Sequence, residues 1–162
     1  MALFLKNLLF TLLVPGSVAF YIPLWIASPA PVDRAPDAIH WLGLAPLAVG
    51  VAIYLWCAWD FASFGRGTPA PIDAPTRLVV RGLYRYVRNP MYVGVLCAIV
   101  GWALYLASGM LCLYAAAVWT AFHLFVVVYE EPHLRSRFGA DYERYCAVVN
   151  RWLVKPSRGR AA

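Results

Sequence analysis

Four uncharged apolar runs, at residues 8–27, 41–59, 91–107 and 110–129, constrain this chain more than any other feature. A helix needs about 20 apolar residues, within a range of about 17–25, to cross a bilayer. It also satisfies its own backbone polar groups, which lipid cannot do. Composition agrees: 62% of the 162 residues are hydrophobic and 14% charged, against roughly 25% charged in a soluble domain. The sequence therefore predicts an all-α integral membrane protein. Its four transmembrane helices comprise a two-span scaffold (1–64) and a helical hairpin with a cytoplasmic loop and a C-terminal amphipathic helix (65–162), all in one membrane domain. Lys6 and Ser17-Val18-Ala19 also outline a signal peptide, but the apolar run continues past Ala19, which favours a span.

The basic residues set the orientation. Arg66, Arg77, Arg81, Arg85 and Arg88 lie between the second and third runs, and seven more, from Arg135 to Arg160, follow the fourth. The 28–40 loop has only Arg34. Basic loops stay cytoplasmic, so both termini and every basic cluster are expected on that side, in a bacterial inner membrane. The formal charge of +6 then forms a collar near anionic lipid, with no nucleic-acid motif among its residues. Cys57, Cys97, Cys112 and Cys146 show neither CxxC nor metal-ligand spacing, so no metal is expected and they read as small buried hydrophobes.

The segment "GRGTPAPIDAP" is predicted to be a loop. Ser108-Gly109 leaves room only for a tight antiparallel turn. Gly94, Ala98 and Gly101 on the third run, and Ala117 and Ala121 on the fourth, mark faces where helices can approach closely. In the tail, Leu134, Phe138, Tyr142, Tyr145, Val149 and Trp152 recur every three or four residues, an amphipathic period broken near Gly139. Such a helix either lies on the membrane surface or closes over the mouth of the hairpin.

The charged residues at the hairpin's open end carry the chemistry. In "RYVRNPMY", Asn89 suits an N-cap and Pro90 the first helical position, so the third helix starts there. Its free N–H groups, beside Arg88, are a natural seat for a carboxylate or phosphate. The fourth run ends in Glu130-Glu131, acids that oppose the helix dipole and want a cation, either an arginine of the collar or a ligand. The hairpin brings these two ends together, with Tyr84, Tyr86, Tyr92 and Tyr129 nearby in sequence. S-adenosylmethionine, with a carboxylate, an ammonium, a sulfonium and an adenine, suits both halves; an amino acid or a nucleotide would also satisfy the charges. His123, seven residues before Glu130 and so on nearly the same helical face, and Asp60, at the end of the second run, are ionisable groups that need partners.

"LVVRGLYRYVRNPMYVG" followed by "EEPHLRSRFGADYERYCAVVNRW" resembles the isoprenylcysteine carboxyl methyltransferase and phospholipid methyltransferase superfamily of integral membrane enzymes. The resemblance covers residues 78–152. It implies S-adenosylmethionine as cofactor, held by Leu78, Val79, Tyr84, Asn89, Pro90, Met91, Tyr92 and Glu130. Arg88 and Glu131 adjoin these positions and are, with His123, the candidates for a catalytic role. The family's histidine is Asn89 here, its V-P-R motif reads Val149-Asn150-Arg151, and the arginine that meets a prenylcysteine carboxylate is Val126. The last departure argues for a different lipophilic acceptor, entering from the bilayer. Two rivals are a nicotinamide-dependent membrane reductase and a non-enzymatic four-span protein such as a small multidrug transporter. The first run lacks the carboxylate such a transporter needs.

Overall fold

The structure, a computed structural model, describes residues 2–28, 38–65 and 78–154. The loop "GRGTPAPIDAP", Arg34, Arg66, Arg77 and the basic residues beyond 154 lie outside the described residues. Described secondary structure is helical throughout, apart from one isolated bridge between Val87 and Asn150.

Helix α1 (Ala2–Leu13) runs through a π-turn at Ser17–Tyr21 into α2 (Ile22–Ala27). Helix α3 (Ala38–Leu42) bends at Gly43 into α4 (Leu44–Asp60), which ends in a second π-turn, Phe61–Gly65. A single 3-10 turn, Gly82–Arg85, precedes α5 (Pro90–Tyr105). Residues 106–108 then reverse the chain into α6 (Gly109–Phe125). A third π-turn, Val126–Glu130, joins α6 to α7 (Glu131–Phe138), and Gly139 separates α7 from α8 (Ala140–Val148).

Among the described residues, three helical rods are long and apolar enough to cross a membrane: Leu8–Ala27, His40–Phe64 and Gly109–Phe138, with mean hydropathies of 1.8, 1.8 and 2.1. They make this a multi-pass membrane protein. The third expected span, α5, is equally apolar but has 16 residues. At 1.5 Å per residue it is about 24 Å long, short of a hydrocarbon core of about 30 Å. Pro90 fixes where it begins, and Ala107, with φ +46°, turns the chain at its far end.

Small residues decide where α5 sits. A Cβ on Gly94 would lie 2.8 Å from the Gly50 carbonyl, and one on Gly101 would lie 2.6 Å from the Leu47 amide. Only glycine permits such backbone contact, so α5 nests against α4. The small face of α5 thus meets the second rod and not its hairpin partner, and Ala117 and Ala121 of α6 face outward, exposed. Helix α6 instead turns Tyr114, Ala115, Val118 and Phe122 toward a core of Ala19, Tyr54, Val95, Ala98 and Ile99. The cysteines are all free; Cys57 is buried as expected, whereas Cys112 is exposed on the outer face of α6.

The tail is a pair of short helices. Gly139 takes φ +50°, a conformation that favours glycine, and splits the amphipathic period there. Tyr142, Tyr145 and Val149 form a buried cluster with Leu134, Phe138 and Leu78, so this face of the tail is covered by protein.

Candidate functional site

The antiparallel turn places the start of α5 beside the end of α6. The Tyr92 hydroxyl donates to Glu130 Oε2 at 2.9 Å, and Arg88 lies 3.3 Å from Glu131. The expected meeting of the two helix ends is therefore present. Between them, the tail and the end of α4 lies an open-mouthed cavity. Leu78, Val79, Tyr84, Arg88, Asn89, Tyr92, Glu130 and Glu131 all line it. Pro90 and Met91 do not; they build the first turn of α5 behind the wall.

The two adjacent acids have different surroundings. Glu131 is 3% exposed. Arg151 donates to both of its oxygens, from Nε at 2.6 Å and Nη2 at 2.9 Å, and Arg88 is its second cation. Bidentate guanidinium–carboxylate pairs are among the stronger and more directional polar contacts. Glu130 has the Tyr92 hydroxyl, and among the described residues no cation lies within ion-pair distance of it. Arg88 also donates to the Cys146 thiol, and its Nε is buried without a hydrogen-bond partner.

Asn89 occupies the N-cap position of α5, but its side chain makes no cap. Its amide donates instead to the Arg151 carbonyl at 3.1 Å, and the Arg88 amide donates to the Asn150 carbonyl at 2.9 Å. Residues 149–152 thus form a strap across the start of α5, fixed by Arg151 to Glu131 and by the Trp152 indole N–H to His123 Nδ1 at 3.1 Å.

His123 lies outside the cavity. It stacks on Trp119 with centroids 5.5 Å apart and accepts from Trp152. Seven residues of regular α-helix would have kept it on the face of Glu130. The π-turn at Val126–Glu130 takes more residues per turn and rotates the two faces apart. The same turn buries Val126 to 1% exposure and puts it in the cavity wall, together with Phe125 and Tyr129.

Sequence reasoning missed Phe61, and placed Tyr145 only within the tail segment that could close over the hairpin. Phe61 meets the Tyr84 ring edge-on at 5.5 Å, and the Tyr145 hydroxyl donates to the Tyr84 carbonyl at 2.6 Å. Tyr145 belongs to the amphipathic period, which was the available signal for it; Phe61 had none. Burial holds the Tyr84, Tyr142 and Tyr145 hydroxyls above their ordinary range and so neutral. The hydrogen bond from Arg151 to Glu131 raises the arginine further and keeps it charged.

Fold and site together define a helical membrane protein with a carboxylate-bearing, aromatic-walled cavity at the end of its spans. Residues 38–141 match the family model described as phospholipid methyltransferase, and the chain belongs to that family, within the superfamily of membrane methyltransferases. An uncharacterized protein of Haemophilus influenzae is 33% identical over 63 residues, which are 39% of this chain and all of the relative. No solved structure matches the chain.

Proposed function

We propose that this protein is an S-adenosylmethionine-dependent methyltransferase of the bacterial inner membrane, acting on a lipophilic or amphipathic acceptor that enters from the bilayer. In this reading α5 completes a four-span bundle, and the basic end of the molecule, with both termini and the cavity, faces the cytoplasm. One observation carries the reading: Glu130 lines the cavity without a cationic partner among the described residues, while its neighbour Glu131 holds two.

The donor set fits the cofactor. Glu130 would hold its cationic side, with the tyrosine rings beside it. The start of α5 and Arg88, with its unpartnered Nε, would hold the carboxylate. Leu78, Val79 and Tyr84 would border the adenine. The cofactor supplies a methyl group already activated on sulfur, so the protein's work is alignment and exclusion of water. Tyr92 fixes the Glu130 carboxylate, and the Arg88–Glu131–Arg151 cluster fixes the strap that backs the cavity.

Both Glu131 oxygens are engaged by guanidinium groups, and His123 is turned away. Glu131 is therefore a positioning residue in this account, and neither serves as a base. Val126, where prenylcysteine methyltransferases carry arginine, offers an acceptor carboxylate no charge, so the acceptor is not a prenylcysteine. The test is incubation of the purified protein with methyl-labelled S-adenosylmethionine and a total membrane lipid extract. Label in a lipid species supports the reading; label in none under conditions where the cofactor binds would contradict it.

A further inference from the structure

Asp60 does not line the cavity, and yet it is 2% exposed. It is the last residue of α4, where the helix passes into the π-turn Phe61–Gly65. Burial of a carboxylate there opposes folding unless the charge is well matched. Among the described residues the match is partial. Oδ1 is 3.4 Å from Arg81 Nε, on a side chain 46% exposed, and Oδ2 is buried with no hydrogen-bond partner. An asparagine would avoid most of that penalty.

What Asp60 does touch is the loop that reaches the cavity. Gly82 has φ +54°, and a Cβ there would land on Asp60 Oδ2, with Trp56 Nε1 3.0 Å from the same point. The Arg81 guanidinium also stacks on the Phe64 ring, 3.4 Å from its centroid. Arg81 and Gly82 open the 3-10 turn that carries Tyr84, whose amide donates to the Arg81 carbonyl at 3.0 Å. One helical turn back on α4, Cys57 packs with Val79 and Tyr84. The end of α4 is a socket for residues 78–84, and Asp60 grips the middle of that strip, between two parts of the cavity wall.

We propose that Asp60 is a positioning residue for the methyl-donor pocket, setting through Arg81 and Gly82 where Leu78, Val79 and Tyr84 stand, and that it does so against the stability of the fold. The proposal rests on the reading of the cavity as the donor site. The test uses the full chain in lipid nanodiscs, with S-adenosylmethionine affinity by titration calorimetry and the thermal midpoint measured side by side. Asp60→Asn is expected to keep or raise the midpoint while weakening donor affinity at least tenfold. Arg81→Gln leaves the carboxylate without its cation and is expected to lower both. The double variant Asp60→Asn/Arg81→Gln is expected to recover the midpoint but not the affinity. Wild-type affinity in Asp60→Asn would overturn the proposal. So would a loss of affinity matched by a fall in midpoint, which marks a merely structural residue. A wild-type protein that binds no donor would overturn the donor-site reading and this proposal together, an outcome distinct from normal affinity in both wild type and variant.

Discussion

Replacing Glu131 by glutamine removes the one anion shared by Arg88 and Arg151. Arg151 gives Glu131 two hydrogen bonds at 2.6 and 2.9 Å, and Arg88 stands 3.3 Å away. Hydrogen bonds to charged groups contribute about 1.5–3 kcal/mol each, and unpairing a buried ion costs about 3–5 kcal/mol. The Arg151 side chain is 31% exposed, so water takes up part of its freed charge and the lower end applies, about 3 kcal/mol. At roughly 2–4 °C per kcal/mol for a chain of this length, the thermal midpoint should fall by about 6–12 °C. Tryptophan fluorescence during heating in detergent micelles reads this directly. Glu143→Gln is the control. Its pair with Arg135 is 2.8 Å long, but the side chains are 49% and 58% exposed. Such a solvent-exposed pair is screened by water and contributes little, so its midpoint should stay close to that of the wild type. A Glu131→Gln midpoint no lower than that of Glu143→Gln would refute the argument that burial, and not the mere presence of a pair, sets the strength.

Three further outcomes follow from the same geometry. Tyr92→Phe removes the hydrogen bond to Glu130 and should weaken S-adenosylmethionine binding about tenfold by titration calorimetry, or about 1.4 kcal/mol, with the fold intact. Gly50→Ala would put a Cβ 2.6 Å from the Ala98 amide, forcing α4 and α5 apart, and should cost about 1–3 kcal/mol in unfolding measurements. Alkali should destabilise the protein: Tyr84, Tyr142 and Tyr145 hold their protons more tightly folded than unfolded, where the ordinary value is 10.0. Their contribution is therefore full below about pH 10 and is lost as pH rises above it, so the midpoint should drop across that range in a pH series.

Much of the architecture was legible in the residues because a bilayer makes length and polarity decisive. The three long rods follow from uncharged runs, the start of α5 from Asn89-Pro90, and the nearness of Tyr92 to Glu130 from a turn too short to do anything else. That the tail is helical was visible in its period, and the break between its two helices in Gly139. What stayed hidden depended on registers and on partners distant in sequence. A π-turn has no sequence signature, so the rotation of His123 away from Glu130 could not be read from a spacing of seven residues. The strap at 149–152 pairs Asn89 with the Arg151 carbonyl across 62 residues. Which small-residue faces meet is also a choice among helices. Glycines on α5 fitted either neighbour, and only Gly43 and Gly50 on the second rod settle the matter.

Titration of S-adenosylmethionine into the purified wild-type protein and into Glu130→Gln, with a nicotinamide dinucleotide as comparison, tests the central claim most directly. The account predicts saturable binding of S-adenosylmethionine to the wild type, at least tenfold weaker binding to Glu130→Gln with an unchanged thermal midpoint, and no binding of the dinucleotide. Equal affinity in wild type and Glu130→Gln, or preference for the dinucleotide, would contradict it.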